Sequence, residues 1–235
     1  DVMQTDQQSM IRWHVAADAD DWLERALAFV AAAEAEALAE RGEFHIVLAG
    51  GGTPRRLYRA LADEDHAWSR WRVWFGDERC LPPGDPERNS AMAREDWLDK
   101  VGMPAGNLHV IPAERDAGQA ARLYAKELSG LADFDLVLLG LGQDGHTASL
   151  FPGQDWGEAE GSAAALAVAD APKPPPERVS LSAERLSRAR RVLFLVTGVD
   201  KRDALARWRR GENLPAAAIR PRIGIDVLMD QEAGT

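Results

Sequence analysis

The feature that most constrains this chain is a repeated order: an apolar run, a loop bearing glycine, then a helical pattern. Phe44–Ala49 (Phe-His-Ile-Val-Leu-Ala) ends in Gly50-Gly51-Gly52. Trp71–Phe75 ends at Gly76-Asp77-Glu78-Arg79, and Phe134–Leu139 ends at the loop that carries His146. Runs this continuous suit strands buried on both faces, as in a parallel sheet covered by helices. Strands alternating with helices therefore predict an α/β fold, a mainly parallel β-sheet flanked by helices. In open sheets of this kind ligands bind beyond the carboxyl ends of the strands. All three loops fall at such ends.

The rest of the chain follows the same alternation. Further strands are expected over Ile11–Ala17, Leu108–Ile111, Leu166–Val168, Arg178–Leu181, Arg191–Val196 and Ile223–Val227. Asp18 suits the cap of a helix running to about Glu40, within which Ala26–Ala39 has high helix propensity. Thr53 suits an N-cap and Pro54 the first position of a helix running to about Ala62. Helices are also expected over Asn89–Val101, Asp116–Leu131 and Asp200–Arg210. The run Pro172-Lys173-Pro174-Pro175-Pro176 reads as a stiff surface connection. No repeat of 20–50 residues interrupts the pattern. With 235 residues, 46% of them hydrophobic, the chain is long enough to bury a large core. The expected organisation is an N-terminal extension over residues 1–10 and a single catalytic α/β domain over 11–235.

Charge and cysteine content narrow the partners. A net charge of -10 disfavours nonspecific nucleic-acid binding, which rests on basic surface. It leaves room for a small anion, because a few well-placed Arg or Lys residues hold one phosphate on an acidic protein. Asp1 to Met10 has neither the basic nor the apolar region of a secretory signal. No stretch approaches the ~18 apolar residues of a membrane span. Cys80 is the one cysteine, so no internal disulfide forms. A cytoplasmic enzyme with neither a nucleic-acid nor a membrane partner is expected. Nothing in the sequence specifies an oligomeric state.

The sharpest chemical signal is Gly142-Gln143-Asp144-Gly145-His146-Thr147. A histidine in a loop beyond a strand can take a proton from water near neutral pH, its unperturbed pKa being ~6.5. Asp144, two residues earlier, can orient the ring or contact a substrate. Thr147 and Ser149 offer polar support or cap the next turn. The glycine loop lets backbone approach a ligand, and the helix start behind it favours a phosphate. The plain alternative there is a tight turn. Gly-Lys-Ser/Thr is absent, so it is not a Walker loop, and the spaced dinucleotide fingerprint is absent too. In Asp77-Glu78-Arg79, two carboxylates and a guanidinium could orient a polyol and an anion, or form a surface ion pair. Cys80 reads as a bystander thiol. Arg178 and Lys201, at element ends, could close around a phosphate held by the glycine loop. No paired zinc-ligand spacing occurs, and an ion between Asp77, Asp144 and His146 is disfavoured. No Gly-x-Ser-x-Gly elbow points to a serine hydrolase.

Together the motifs resemble the 6-phosphogluconolactonase family. The matching segments are Leu48–Pro54, Trp74–Arg79, the long segment Leu138–Gly153 around His146, Arg178–Ser182 and Val196–Lys201, in that order. The resemblance spans roughly residues 11 to 230. It implies a fold related to glucosamine-6-phosphate deaminases and ribose-5-phosphate isomerases. It also implies hydrolysis of 6-phospho-D-glucono-1,5-lactone to 6-phosphogluconate, in the oxidative pentose phosphate pathway, without metal or organic cofactor. On that basis His146 is expected as general base and Asp144 as its partner. Gly51, Gly52, Thr53, Arg178 and Lys201 would hold the phosphate, with Arg79, Asp77 and Asn89 in the site. Gly52 stands where the family often has Ser, and Arg88 where Asp85–Asn89 would have Ser. The nearest rival family, the deaminases, carries Glu where this chain has Phe151, and usually Asp-Glu-Tyr where it has Asp77-Glu78-Arg79. A sugar-phosphate-binding regulator on a related fold is a second rival. The intact Asp144-Gly145-His146 loop favours an enzyme.

Overall fold

The computed structural model describes residues 10–234. The extension expected over 1–10 lies, Met10 apart, outside the described residues. Among the described residues nine strands divide into two sheets. The larger holds β1 (Ile11–Val15), β2 (Phe44–Leu48), β3 (Trp71–Phe75), β5 (Phe134–Leu139), β8 (Ala189–Val196) and β9 (Ile225–Met229). They lie in the order β1-β9-β8-β5-β2-β3, and every pairing is parallel. All six residues of β5, at the middle of this sheet, are buried, as its unbroken apolar run requires.

Helices cover both faces. α1 (Ala19–Arg41) is capped by Asp18, whose side chain accepts from the Asp21 N–H. It lays Trp22, Ala26, Val30, Ala33 and Ala37 on the sheet, and the small alanines bring its backbone close. Its Phe29 touches His14 of β1. The next residue back, Trp13, points to the other face. There it meets Trp208 of α6 (Arg202–Arg209), which also packs on Phe194 of β8. Among the described residues no helix is long and apolar enough to cross a membrane.

The second sheet is antiparallel, in the order β4-β7-β6: β4 (Asp77–Arg79), β7 (Arg178–Leu181) and β6 (Ala165–Val168). The sequence places Asp77–Arg79 in a loop. It is a strand only because β7 pairs with it, Asp77 opposite Ser180.

Other boundaries shift for local reasons. Leu108–Ile111 makes a single bridge to Val73 instead of a strand. The Ile111 carbonyl is taken by Arg88 and Ala113, and Pro112 has no N–H to give. The helix expected over Asn89–Val101 is α3 (Asn89–Ala93), widening into a π-turn over Arg94–Leu98. α4 spans Ala117–Leu128, with Asp116 as cap. β9 begins two residues later than expected, after Gly224 at φ 93°. The short α5 (Ala183–Ser187) follows β7, and α6 starts at Arg202, behind a 3-10 turn over Val199–Lys201.

The edge strand β1 is fastened by charge. Asp226 of β9 accepts from Arg12 Nε (2.8 Å) and Nη2 (3.0 Å), and meets His14 Nε2 at 2.8 Å. Burial pushes the Asp226 carboxyl up, but these hydrogen bonds outweigh it and hold it below its ordinary value of 3.8. A depressed carboxyl stabilises the fold above its unfolded value, and that contribution disappears as pH falls through the lower folded value. The stability gap between wild type and Asp226→Asn should therefore narrow as urea unfolding is repeated at successively lower pH below 3.8. A gap of constant size would rule out titration of Asp226 as its source.

Candidate active site

The strand order reverses between β2 and β5. The chain leaves β2 for β3 on one side, and leaves β5 for β8 on the other. A cleft of about 320 Å³ opens at this switch point, beyond the carboxyl ends of the strands. Gly51, Gly52, Thr53, Asp77, Arg79, Asn89, His146, Arg178 and Lys201 all line it. Asp144 does not line it, but stands behind His146.

Asp144 Oδ1 lies 2.6 Å from His146 Nδ1 and also accepts the His146 backbone N–H at 3.0 Å. Burial pushes the Asp144 carboxyl up. The backbone hydrogen bond from His146 and the attraction of its ring outweigh that and hold it below its ordinary value. With Nδ1 turned to Asp144, Nε2 is the ring nitrogen left for other chemistry. Phe151 packs on the imidazole at 4.7 Å between ring centroids. Gly142 is required here, since a Cβ on it would stand 2.0 Å from His146 Nδ1.

The glycine loop differs from expectation in one respect. α2 (Gly52–Leu61) starts two residues early, with Gly51 at φ 100° in the cap position and no side-chain cap. Thr53 and Pro54 are the second and third helical residues. The Thr53 hydroxyl, spared from capping, meets the Thr197 hydroxyl at 2.7 Å, joining the loop after β2 to the end of β8. Tyr58 pins the loop's base by donating to the Ala49 carbonyl (2.6 Å) and accepting from the Ala49 N–H (2.9 Å).

The two carboxylates of β4 part company. Glu78 is fully buried and accepts the backbone N–H groups of Arg79, Asn89 and Ser90 at 2.7–2.9 Å. Burial raises its pKa against those bonds. It anchors the start of α3 and is absent from the cleft wall, so the expectation that it orients a polyol is corrected. Asp77 does reach the cleft, where Ser149 Oγ donates to Oδ2 (2.6 Å) and Asn89 Nδ2 to Oδ1 (3.1 Å).

Four cationic side chains line the cleft, and the sequence signalled three of them: Arg79, Arg178 and Lys201. Arg79 gives Nη1 to the Glu87 carbonyl, while its buried Nε has no partner among the described residues. Arg178 is buried over the Phe151 ring. It donates to the carbonyls of Lys173 (3.0 Å), Pro174 (3.3 Å) and Pro175 (3.1 Å). Burial, then the nearby Arg79 charge, push its pKa below the ordinary value against the pull of Asp77. The fourth is Lys173, in the proline run expected at the surface; it is exposed and also borders the cleft. Thr197 and Phe151 were missed as wall residues too. Burial pushes the Cys80 thiol up to about 11, so it stays protonated. Among the described residues no group of three His, Cys, Asp or Glu side chains is placed to hold a metal.

The family model described as glucosamine-6-phosphate isomerases/6-phosphogluconolactonase matches residues 17–228. A 6-phosphogluconolactonase of Synechocystis sp. is 40% identical over 230 residues, covering 90% of this chain and 92% of that protein. The crystal structure of 6-phosphogluconolactonase from Thermotoga maritima superposes with a TM-score of 0.86 at 26% identity, over 94% of this chain and 100% of the other. A monomeric glucosamine-6-phosphate deaminase shares the fold, with a TM-score of 0.79 at 20% identity over 95% and 98% of the two chains.

Removing the Glu78 carboxylate leaves three backbone donors without their acceptor. An unsatisfied buried group costs ~1–3 kcal/mol, so Glu78→Ala should lose about 3 kcal/mol or more in urea unfolding. Stability equal to wild type would show that α3 is held by other contacts.

Proposed function

We propose that this chain, which belongs to the glucosamine-6-phosphate isomerase/6-phosphogluconolactonase family, hydrolyses 6-phospho-D-glucono-1,5-lactone to 6-phosphogluconate, the lactone-opening step of the oxidative pentose phosphate pathway. The observation that carries this reading is the contact of His146 Nδ1 with Asp144 at 2.6 Å, on a residue that faces the glycine loop across one cleft.

With the Nδ1 proton shared with Asp144, Nε2 carries the lone pair and takes a proton from water. The water oxygen attacks the lactone carbonyl carbon. The tetrahedral oxyanion collapses, the bond from that carbon to the ring oxygen breaks, and the leaving oxygen takes the proton back from the imidazolium. Asp144 fixes the ring and stabilises the imidazolium between the two transfers. The product acid ionises in solution.

The phosphate is held by backbone and hydroxyl at Gly51, Gly52 and Thr53, with Lys201, Arg79 and Arg178 supplying charge. Anchoring that remote group uses binding energy to place the carbonyl at the water. Asn89 and Asp77 shape the wall between. A deaminase is disfavoured by Phe151, which puts an apolar ring against His146 where that family carries a carboxylate.

General-base assistance is typically worth about 10²–10⁴-fold. His146→Ala should lose turnover of that order with KM little changed. The assay follows 6-phosphogluconate from lactone made in place by glucose-6-phosphate dehydrogenase, corrected for spontaneous hydrolysis. Unchanged turnover would remove His146 from the chemistry. Ammonia released from glucosamine 6-phosphate by the wild type would favour the deaminase instead.

A further inference from the structure

His146 and the glycine loop stand on separate supports, and a reaction between them needs a fixed register. A buried chain of hydrogen bonds, ending in a close packing contact on Gly50, supplies it. Ser149, three residues after His146, is buried and donates Oγ to Asp77 Oδ2 at 2.6 Å. Its backbone N–H donates to Ser180 Oγ at 3.2 Å. Asp77 and Ser180 are opposite each other in the β4–β7 pair, so Ser149 grips both members of one registered pair. On the other side Asn89 Nδ2 donates to the Asp77 carboxylate (3.1 Å) and carbonyl (3.0 Å). The Asn89 amide lies close against the glycine loop, where a Cβ on Gly50 would be 2.0 Å from its Oδ1.

The segment between His146 and Ser149 is strained. Ala148 has φ 49°, the left-handed region that residues with a Cβ avoid. Such a conformation persists only where its surroundings hold it. The ties here are Thr147 Oγ1 to the Gly140 carbonyl (2.8 Å), Leu150 N–H to the Thr147 carbonyl (3.0 Å), and Ser149 to Asp77.

We infer that Ser149 is a positioning residue for His146. Through Asp77 and Asn89 it sets the distance from the imidazole to the glycine loop, and it keeps Ala148 from relaxing and carrying His146 out of line. Asp77 on this account is the fixed node of the site, its carboxylate spent on the two tethers. The inference rests on the lactonase reading for its assay but not for its geometry.

The test is a cycle on 6-phospho-D-glucono-1,5-lactone with wild type, Ser149→Ala, His146→Ala and the double variant. Small misplacements of reacting groups cost up to ~10²-fold, so Ser149→Ala should lose roughly 10- to 100-fold in kcat, with KM little changed. In the His146→Ala background the same change should cost nothing further, because residues that act through one group are not additive. An equal loss in both backgrounds, or no loss in either, overturns the inference. Should Ser149→Ala not fold, Asn89→Ala cuts the same chain and must give the same pattern; an effect confined to KM overturns the inference. Should the wild type show no lactone turnover, the lactonase reading fails. The positioning role is then decided by NMR of the histidine rings: Ser149→Ala should shift the His146 imidazole signals and leave those of His14 in place. Unmoved His146 signals overturn it.

Discussion

All six strands of the large sheet run in one direction, and the order of connections reverses between β2 and β5. Everything about the site depends on that constraint. A parallel sheet sends every loop after a strand to the same edge. A reversal makes two neighbouring loops leave in opposite directions, so a gap opens that no connection fills. The glycine loop stands on one bank and the His146 loop on the other. The small antiparallel sheet then brings Asp77 and Arg79 of β4 and Arg178 of β7 to the same gap.

The legible part of the sequence was the part dictated by burial. β2, β3 and β5 are covered on both faces, and such strands require unbroken apolar runs. The loops after them followed, and Thr53, Asp77, Arg79 and His146 from all three line one cleft. What stayed hidden depends on partners distant in sequence. Asp77–Arg79 has no strand pattern and becomes β4 only through β7. Glu78 resembles a site carboxylate, but three N–H groups from residues 79, 89 and 90 converge on it out of sight of the cleft. Thr53 reads as a cap because its type favours caps, yet Gly51 at φ 100° starts the helix earlier and leaves the hydroxyl for Thr197. Lys173 lies on the surface, as the proline run implies, but its place at the cleft is set by the fold: the carbonyls of Lys173, Pro174 and Pro175 bond Arg178, and composition does not encode that.

A chain of net charge -10 can still present a cationic cleft, because charge acts locally. Exposed charges beyond the ~8 Å Debye length of physiological salt are largely screened, while groups around a half-buried cleft are not. Arg79, Arg178, Lys173 and Lys201 share that space with the helix start at Gly52. Burial and the proximity of Arg79 already disfavour the charge on Arg178. In the proposed reading an anionic phosphate entering the cleft relieves that repulsion.

The proposed mechanism divides into two tasks. The cations and the glycine loop see the phosphate, which keeps its charge throughout the reaction, so they bind ground state and transition state alike. Asp144 is hydrogen-bonded to His146, and its attraction grows when the imidazole takes the proton from water. That interaction strengthens during the reaction, which is the condition for raising turnover rather than affinity alone. A device divided in this way works only while the two banks keep their spacing. The spacing passes through one buried carboxylate, Asp77, held from the His146 side by Ser149 and from the glycine-loop side by Asn89.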